Sequence, residues 1–396
     1  MTDRFTPVGT ELVPLTEALG RVLGNDITAT LDLPGFNRSV MDGYAVAAAS
    51  TFGASDGSPA FLTIKGSIPM GAVPDFDIQR NEAAGIATGG MLPESADAVV
   101  MKEHAAPVSK TELEVFKPVA PGGNMVAADE DFKAGDVAVS AGTLMRSQEI
   151  GLLAAFGITT VTVYKKPVIG ILSTGDEIVS IDKTPPPGHI RDMNTYSLAA
   201  LVIQSGGTPM NLGVVPDQYE ALYGIVANAI KKCDAVVVSG GSSVGTRDYT
   251  KKALTALPDA ELLVHGVAVR PGKPTMLARV GGKMVWGLPG QVTSAMVVYM
   301  MIVRPFVRHI GGNMAITTDI DYVSARIARN VPSVYGRTDF VRVRIEQEKT
   351  GSTAWAHPVF GKSGLINTMV QADGLIAIDA DSEGINKGDV VNVIKF

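Results

Sequence analysis

Hydrophobic and polar positions along the chain fall into three textures. In the first 165 residues the apolar segments are brief. Across 28–138 they are broken by Gly, Pro and Asp, which predicts a small β-rich unit of short strands and turns. Two flanking stretches have helical spacing, Leu15 to Leu23 (LTEALGRVL) and Ser147 to Phe156 (SQEIGLLAAF), with Ser147 placed to act as an N-cap. The texture changes at Lys165-Lys166-Pro167. From Val168, uninterrupted apolar runs alternate with helical stretches: VIGIL, a helix from about Thr195 to Gln204, MNLGVV, and a helix from Asp217 to Lys232. AVVVSG, a short helix after Asp248, and MVWGLPG ahead of a long helix complete the series. Such alternation predicts an α/β unit whose parallel sheet is covered on both faces. Beyond Gly311-Gly312 the period falls to two, in VRVRIEQ, GLIAID and VVNVIKF, so residues 320–396 read as a compact all-β tail.

In a parallel α/β sheet, ligands sit beyond the carboxyl ends of the strands. Unusual loops stand at three of those ends: Ser173-Thr174-Gly175-Asp176-Glu177, Ser239 to Gly245, and Leu288-Pro289-Gly290-Gln291. The second has the Gly240-x4-Gly245 spacing of a phosphate-cradling loop, but Thr246 stands where that motif requires lysine. Backbone N–H groups of a glycine-rich strand-to-helix turn can seat an anion without the lysine. Ser239, Gly240, Gly241, Ser243 and Gly245 are therefore candidate anion contacts, with Ser173, Thr174, Gly175, Pro289 and Gly290 on the neighbouring loops. Glu177, Asp217 and Asp248 each follow a strand end. Alone, Asp217 and Asp248 read first as helix-capping or first-turn acids, Asp217 more so. Together the three acids can share a Mg²⁺ ion, a hard cation that takes carboxylate and phosphate oxygens. Arg247, and Arg270 with Lys273 in VRPGKP, bring positive charge, or form an exposed basic loop.

Composition narrows the reading. At 396 residues the chain exceeds one typical core. A net charge of −6 argues against a non-specific nucleic-acid binder while leaving room for a small anionic ligand. The single cysteine, Cys233, excludes an internal disulfide framework and fits a reducing compartment. The N-terminal MTDRFTPVGTELVPL has no basic segment followed by an apolar one, and the longest apolar run, Ala295 to Val303, is too short to span a bilayer. A cytoplasmic location without membrane partners is expected. The five histidines lack zinc-ligand spacing, and neither GxGxxG after a strand nor a GxSxG elbow occurs. Catalysis would then rest on electrostatics and a metal ion.

These loops, in this order, resemble those of the molybdopterin molybdenumtransferase family over almost the whole chain. RSVMDGYAV (38–46), GIATGGMLPESADAVVMKE (85–103), LSTGDE, SGGSSVGTRDY, RPGKP, LPG and GLINTMVQADGLIAID carry the resemblance. It implies Mg²⁺-dependent insertion of molybdenum from molybdate, or of tungsten from tungstate, into adenylylated molybdopterin, with release of AMP. A molybdopterin adenylyltransferase is a candidate partner. It also implies an elongated homodimer of four-domain chains. These would comprise 1–27 with 139–166 as a helical linker domain, 28–138 as a β-rich insertion, 167–312 as a MoaB/Mog-like α/β domain, and 313–396 as a β-barrel-like domain. By position, Glu177, Asp217, Asp248, Arg270 and Pro289 form one wall of the implied site, with Lys273 alongside. Asp42 and Thr88, with Asp131 nearby, form the other wall, contributed by the second subunit.

Most departures from the family pattern concern charge. Gly266 stands where the family has a lysine after His265, Gln291-Val292 replace an Asn-Pro turn, and Met125 to Ala128 replace an arginine-rich stretch. A divergent paralogue with altered substrate, or a non-catalytic molybdopterin-binding or scaffold protein, is the alternative those losses leave open.

Overall fold

The structure, a computed structural model, describes residues 5–241, 249–314, 322–347 and 354–396. The chain divides into two compact units. One comprises Met1–Asn25, Gly142–Ile150 and Thr160–Phe396, and the other Asp26–Ala141 with Gly151–Thr159.

The larger unit is built on a six-stranded sheet: β1 (Val168–Thr174), β2 (Thr208–Val215), β3 (Ala235–Ser239), β4 (Glu261–His265), β6 (Met276–Val280) and β7 (Lys283–Leu288). The short strand β5 (Val269–Arg270) lies outside it. The order is β2-β1-β3-β7-β6-β4. β2, β1, β3 and β7 are parallel, as the apolar runs predict, whereas β6 and β4 add antiparallel at the edge. The sheet is therefore mixed, because the two-glycine turn at Gly281-Gly282 folds β6 and β7 into a hairpin. Both faces are covered. Ile169, Ile171, Ala235 and Val237 pack with Leu198 and Val202 of α1 (Asn194–Gln204) and with the segment Val292–Ile310. Leu172, Val236 and Val238 pack on the other side with Leu222 and Val226 of α2 (Tyr219–Lys232) and Ala253 and Leu254 of α3 (Tyr249–Thr255). Each such Val, Leu or Ile side chain, fully removed from water, contributes about 1.5–3 kcal/mol, which is why these strands show no polar alternation. The long C-terminal helix predicted after Pro289 begins as α4 (Val292–Val298), passes through a π-helical stretch at Tyr299–Val303, and ends as α5 (Arg304–Ile310).

The all-β tail closes into a barrel. β8 (Tyr322–Ile327), β9 (Thr338–Gln347), β10 (Ala354–Pro358), β11 (Gly374–Ile378) and β12 (Val390–Lys395) form one sheet with β5 in the order β5-β9-β10-β8-β12-β11, and β9 pairs back onto β11. A single helical turn, Asn367–Val370, interrupts it.

Two expectations are corrected. Leu15 to Leu23 is not a helix: only Leu15–Glu17 form a 3₁₀ turn, after which Val22 and Leu23 bridge to Leu144 and Val163. Pairing with distant strands overrides a helical spacing that Gly20, at φ +71°, already weakens. Ser147 is the first residue of its helix (Ser147–Ala155) and not its cap. The Arg146 N–H donates instead to Glu149 Oε2 at 2.8 Å, the return half of a capping box.

The smaller unit contains a six-stranded sheet in the order 98–101, 43–46, 82–86, 60–67, 112–115, 105–107. The strand Gly43–Val46 is antiparallel to both Glu82–Ile86 and Ala98–Met101, with Gly43 opposite Ile86. Asp42 and Thr88 thus lie just beyond the ends of two paired strands.

Candidate functional site

The carboxyl ends of β1, β2, β3 and β7 meet at a cavity of about 1070 Å³ in the larger unit. Thr174, Glu177, Asp217, Gly240, Gly241, Arg270, Lys273, Pro289 and Gly290 line it. Nine of the candidate residues from five separate segments are therefore brought together. Ser243, Gly245 and Asp248 lie outside the described residues.

The geometry at the strand ends follows from close approach. A Cβ on Gly240 would lie 2.2 Å from the Thr174 carbonyl oxygen, and one on Gly241 would lie 2.3 Å from Thr250 Oγ1. Both glycines also have positive φ, +107° and +63°, so only glycine fits without strain. This contact draws the β3 loop against β1, where the Thr174 hydroxyl donates to Asp217 Oδ1 at 2.5 Å. Asp217 is not the N-cap of α2. That position is Gln218, which makes no side-chain cap bond, and the Asp217 N–H donates to Asp176 Oδ1 at 3.1 Å. Its half-buried carboxylate is held from β1 and turned to the cavity.

Ser173 and Ser239 take a different place from the one expected. They are buried behind the cavity wall. Ser173 Oγ donates to Asp192 Oδ1 at 2.9 Å, and Ser239 Oγ accepts from Asn194 Nδ2 at 2.7 Å. The same Asn194 amide also donates to the Gly290 carbonyl at 2.8 Å. Asp192 accepts the Thr195 N–H at 3.1 Å and so anchors the start of α1. A buried network thereby ties β1, β3, α1 and the Pro289-Gly290 loop into one wall, in a setting where each unmade bond costs about 1–3 kcal/mol. Sequence reasoning missed Asp192 and Asn194, although an Asp two residues before a helical run is a capping signal. Gly175 lies on the far side of its turn, in a second recess of about 500 Å³ with Asp176 and Tyr196.

Part of the cavity lining is basic. Val267 to Pro274 form one edge, carrying Arg270 and Lys273, and Val334 to Arg337 of the barrel form another. Arg337 was also missed, and no local pattern marks it, since only closure of the barrel brings it here. Ser363 and Gly364 complete the barrel contribution, and the Ser363 carbonyl accepts the Thr293 N–H at 3.1 Å.

In the smaller unit Asp42 Oδ1 accepts both the N–H and the hydroxyl of Thr88, each at 2.8 Å, while Lys102 Nζ stands 3.7 Å from Oδ2. The Thr88 N–H, then its hydroxyl, and then the Lys102 charge hold the Asp42 carboxyl below the usual aspartate range. Asp131 donates its N–H to the Leu33 carbonyl at 3.0 Å.

Family models match three consecutive regions: "MoeA N-terminal region (domain I and II)" over residues 1–157, "Probable molybdopterin binding domain" over 170–309, and "MoeA C-terminal region (domain IV)" over 324–396. Molybdopterin molybdenumtransferase of Bacillus subtilis is 32% identical over 97% of this chain and 89% of its own. The chain belongs to the molybdopterin molybdenumtransferase family. The Nostoc member is 37% identical over 76% of this chain and 70% of its own. A molybdopterin biosynthesis MoeA protein of Pyrococcus horikoshii, known from its crystal structure, superposes with a TM-score of 0.86 at 30% identity, covering all of this chain and 97% of that one. The family's members are transferases of molybdenum cofactor biosynthesis, and its α/β and β-rich architecture is the one described above.

Proposed function

We propose that this chain inserts molybdenum, or tungsten, from the oxyanion into adenylylated molybdopterin with release of AMP, as a cytoplasmic homodimer that requires Mg²⁺. The observation that carries the reading is one cavity lined both by carboxylates, Glu177 and Asp217, and by cations, Arg270, Lys273 and Arg337. Both the oxyanion and the departing adenylate are negative, so the cations bind and orient them and offset charge as it develops. On this reading Asp42 and Thr88 serve the same reaction, Asp248 belongs to the acidic set, and a molybdopterin adenylyltransferase supplies the substrate.

Among the described residues no three His, Cys, Asp or Glu side chains converge as a protein-only metal cage. Mg²⁺ does not require one, because it commonly takes one or two carboxylates with substrate phosphates and keeps water ligands. Glu177 and Asp217 fit that donor set and would hold it. When bound, the ion would supply positive charge beside the phosphates.

The test is turnover of adenylylated molybdopterin by the purified chain, with molybdate and tungstate in parallel, followed by AMP release. AMP release that needs both oxyanion and Mg²⁺, and falls at least about a hundredfold in Asp217→Asn, is expected. Tight retention of the pterin with no AMP release under any of these conditions would overturn the reading and select a carrier protein.

A further inference from the structure

We infer that Asp339 is a positioning residue for oxyanion capture, holding Arg270 and Arg337 as a fixed pair in the basic lining of the cavity. This rests on the functional reading above. Asp339 lies on β9 and is only 4% exposed. Burying a carboxylate is costly unless cations and hydrogen bonds compensate it, and here two guanidiniums do. Arg337 Nε donates to Oδ1 at 2.8 Å and Arg337 Nη2 to Oδ2 at 3.4 Å, a two-pronged contact. Arg270 Nη1 stands 3.6 Å from Oδ2. The backbone explains why two arginines so far apart in sequence share one carboxylate. β5 pairs in parallel with β9, which sets Arg270 opposite Asp339 and Val269 opposite Thr338.

Both arginines line the cavity, and Arg270 is 64% exposed. Arg337 Nη1, and the rest of the Arg270 guanidinium, have no protein partner among the described residues. A planar fork with one edge tied down presents its remaining N–H groups in a set geometry, which suits a tetrahedral or planar oxyanion better than two free side chains would. The electrostatics run the other way, because a carboxylate beside an anion site repels the anion. If Asp339 acted by charge alone, removing its charge would tighten anion binding. If it acts by position, removing it loosens binding despite the gain in positive charge. The two accounts therefore predict opposite signs.

The experiment is calorimetric titration of molybdate into the full chain, with sulfate as the competing tetrahedral anion. Wild type, Asp339→Asn and Arg337→Lys are compared, and melting curves check that each variant is folded. Asp339→Asn should weaken molybdate binding about tenfold and raise the KM for molybdate with kcat changed less than about threefold, a split that a merely structural role would not produce. Arg337→Lys keeps the charge but loses the two-pronged contact, and it should show the same loss. It decides the matter if Asp339→Asn fails to fold. Molybdate binding as tight as wild type, or tighter, in the folded variant overturns the inference alone. Absence of molybdate binding by the wild-type chain overturns both this and the functional reading.

Discussion

Gly240 passes so close to Thr174 that any side-chain carbon at 240 would lie 2.2 Å from the Thr174 carbonyl oxygen. That approach brings the second strand-end loop against the first. Gly240→Ala meets both a backbone collision and a φ of +107°. A left-handed conformation alone costs an alanine about 1–2 kcal/mol, and backbone cannot give way as a side chain can. The variant should lose about 2 kcal/mol or more of stability. Urea unfolding monitored by fluorescence would measure it, and an unchanged midpoint would show that the loop relaxes freely.

Among the described residues, the Thr174 hydroxyl on Asp217 is the one side-chain bond that aims a candidate metal-binding carboxylate. Thr174→Val preserves shape and removes the donor, so stability should fall by only about 1 kcal/mol. Turnover in limiting Mg²⁺ should fall far more, about tenfold, and recover when Mg²⁺ is raised. Thr174→Ser should behave as wild type. Equal Mg²⁺ dependence in the valine variant and wild type would mean that the bond does not orient the site.

How much of this was legible in the sequence follows from where each residue gets its position. Thr174, Glu177, Asp217 and Gly240 sit at or just beyond strand ends, and a strand end writes itself into glycine spacing and apolar runs. Arg337 and Asp339 are set by barrel closure, and Asn194 by a hydrogen bond to Gly290 from across the sheet. Such long-range registers leave no periodic trace. The Leu15 to Leu23 stretch shows the converse, a periodicity that distant strands overrule. Whether an acid caps a helix or faces a site is also undecidable locally, and at Asp217 the structure separates the two by placing Gln218 at the cap and the Thr174 hydroxyl on the Asp217 carboxylate.

Asp42 should remain a carboxylate throughout any working pH. Its depressed pKa means that the stabilising bonds to Thr88 are present above the ordinary aspartate value, near 3.8, and are lost as pH falls through the lower value of the folded state. No limb of a pH–rate profile above about pH 5 should therefore belong to Asp42. Carboxyl-carbon NMR titration checks this directly. Thr88→Val should move the Asp42 titration upward, and Thr88→Ser should restore it in part.

Glu149 gives a separate acid-sensitive contribution. Its carboxylate, bonded first to the Arg146 guanidinium and also to the Arg146 N–H, is held down to about 2. The stabilisation is complete above the ordinary glutamate value of 4.5 and disappears as pH falls through about 2. Glu149→Gln keeps an acceptor for the Arg146 N–H but loses the charge paired with the Arg146 guanidinium, and should cost about 0.5–1 kcal/mol at pH 7. It should cost progressively less below pH 4. Melting temperatures of the two proteins should therefore converge in acid, and a constant gap down to pH 2 would count against the charge pairing with Arg146.

The charge missing at position 266 can be put back, and the structure says what that would do. Gly266 has φ +87°, donates its N–H to the Thr275 carbonyl at 2.8 Å, and precedes Val267 at the cavity edge. A Cβ there would meet nothing nearer than the Lys273 carbonyl oxygen at 3.6 Å, so there is room, but the backbone remains left-handed. Gly266→Lys should therefore destabilise by about 1 kcal/mol. Gly266→Gln carries the same strain without the charge, and the difference between the two isolates the cation. The lysine variant should bind molybdate several-fold more tightly than the glutamine variant at low salt. The gap should close as ionic strength rises and the screening length falls below about 8 Å. Equal affinity at low salt would mean that Arg270, Lys273 and Arg337 already supply the charge the oxyanion needs.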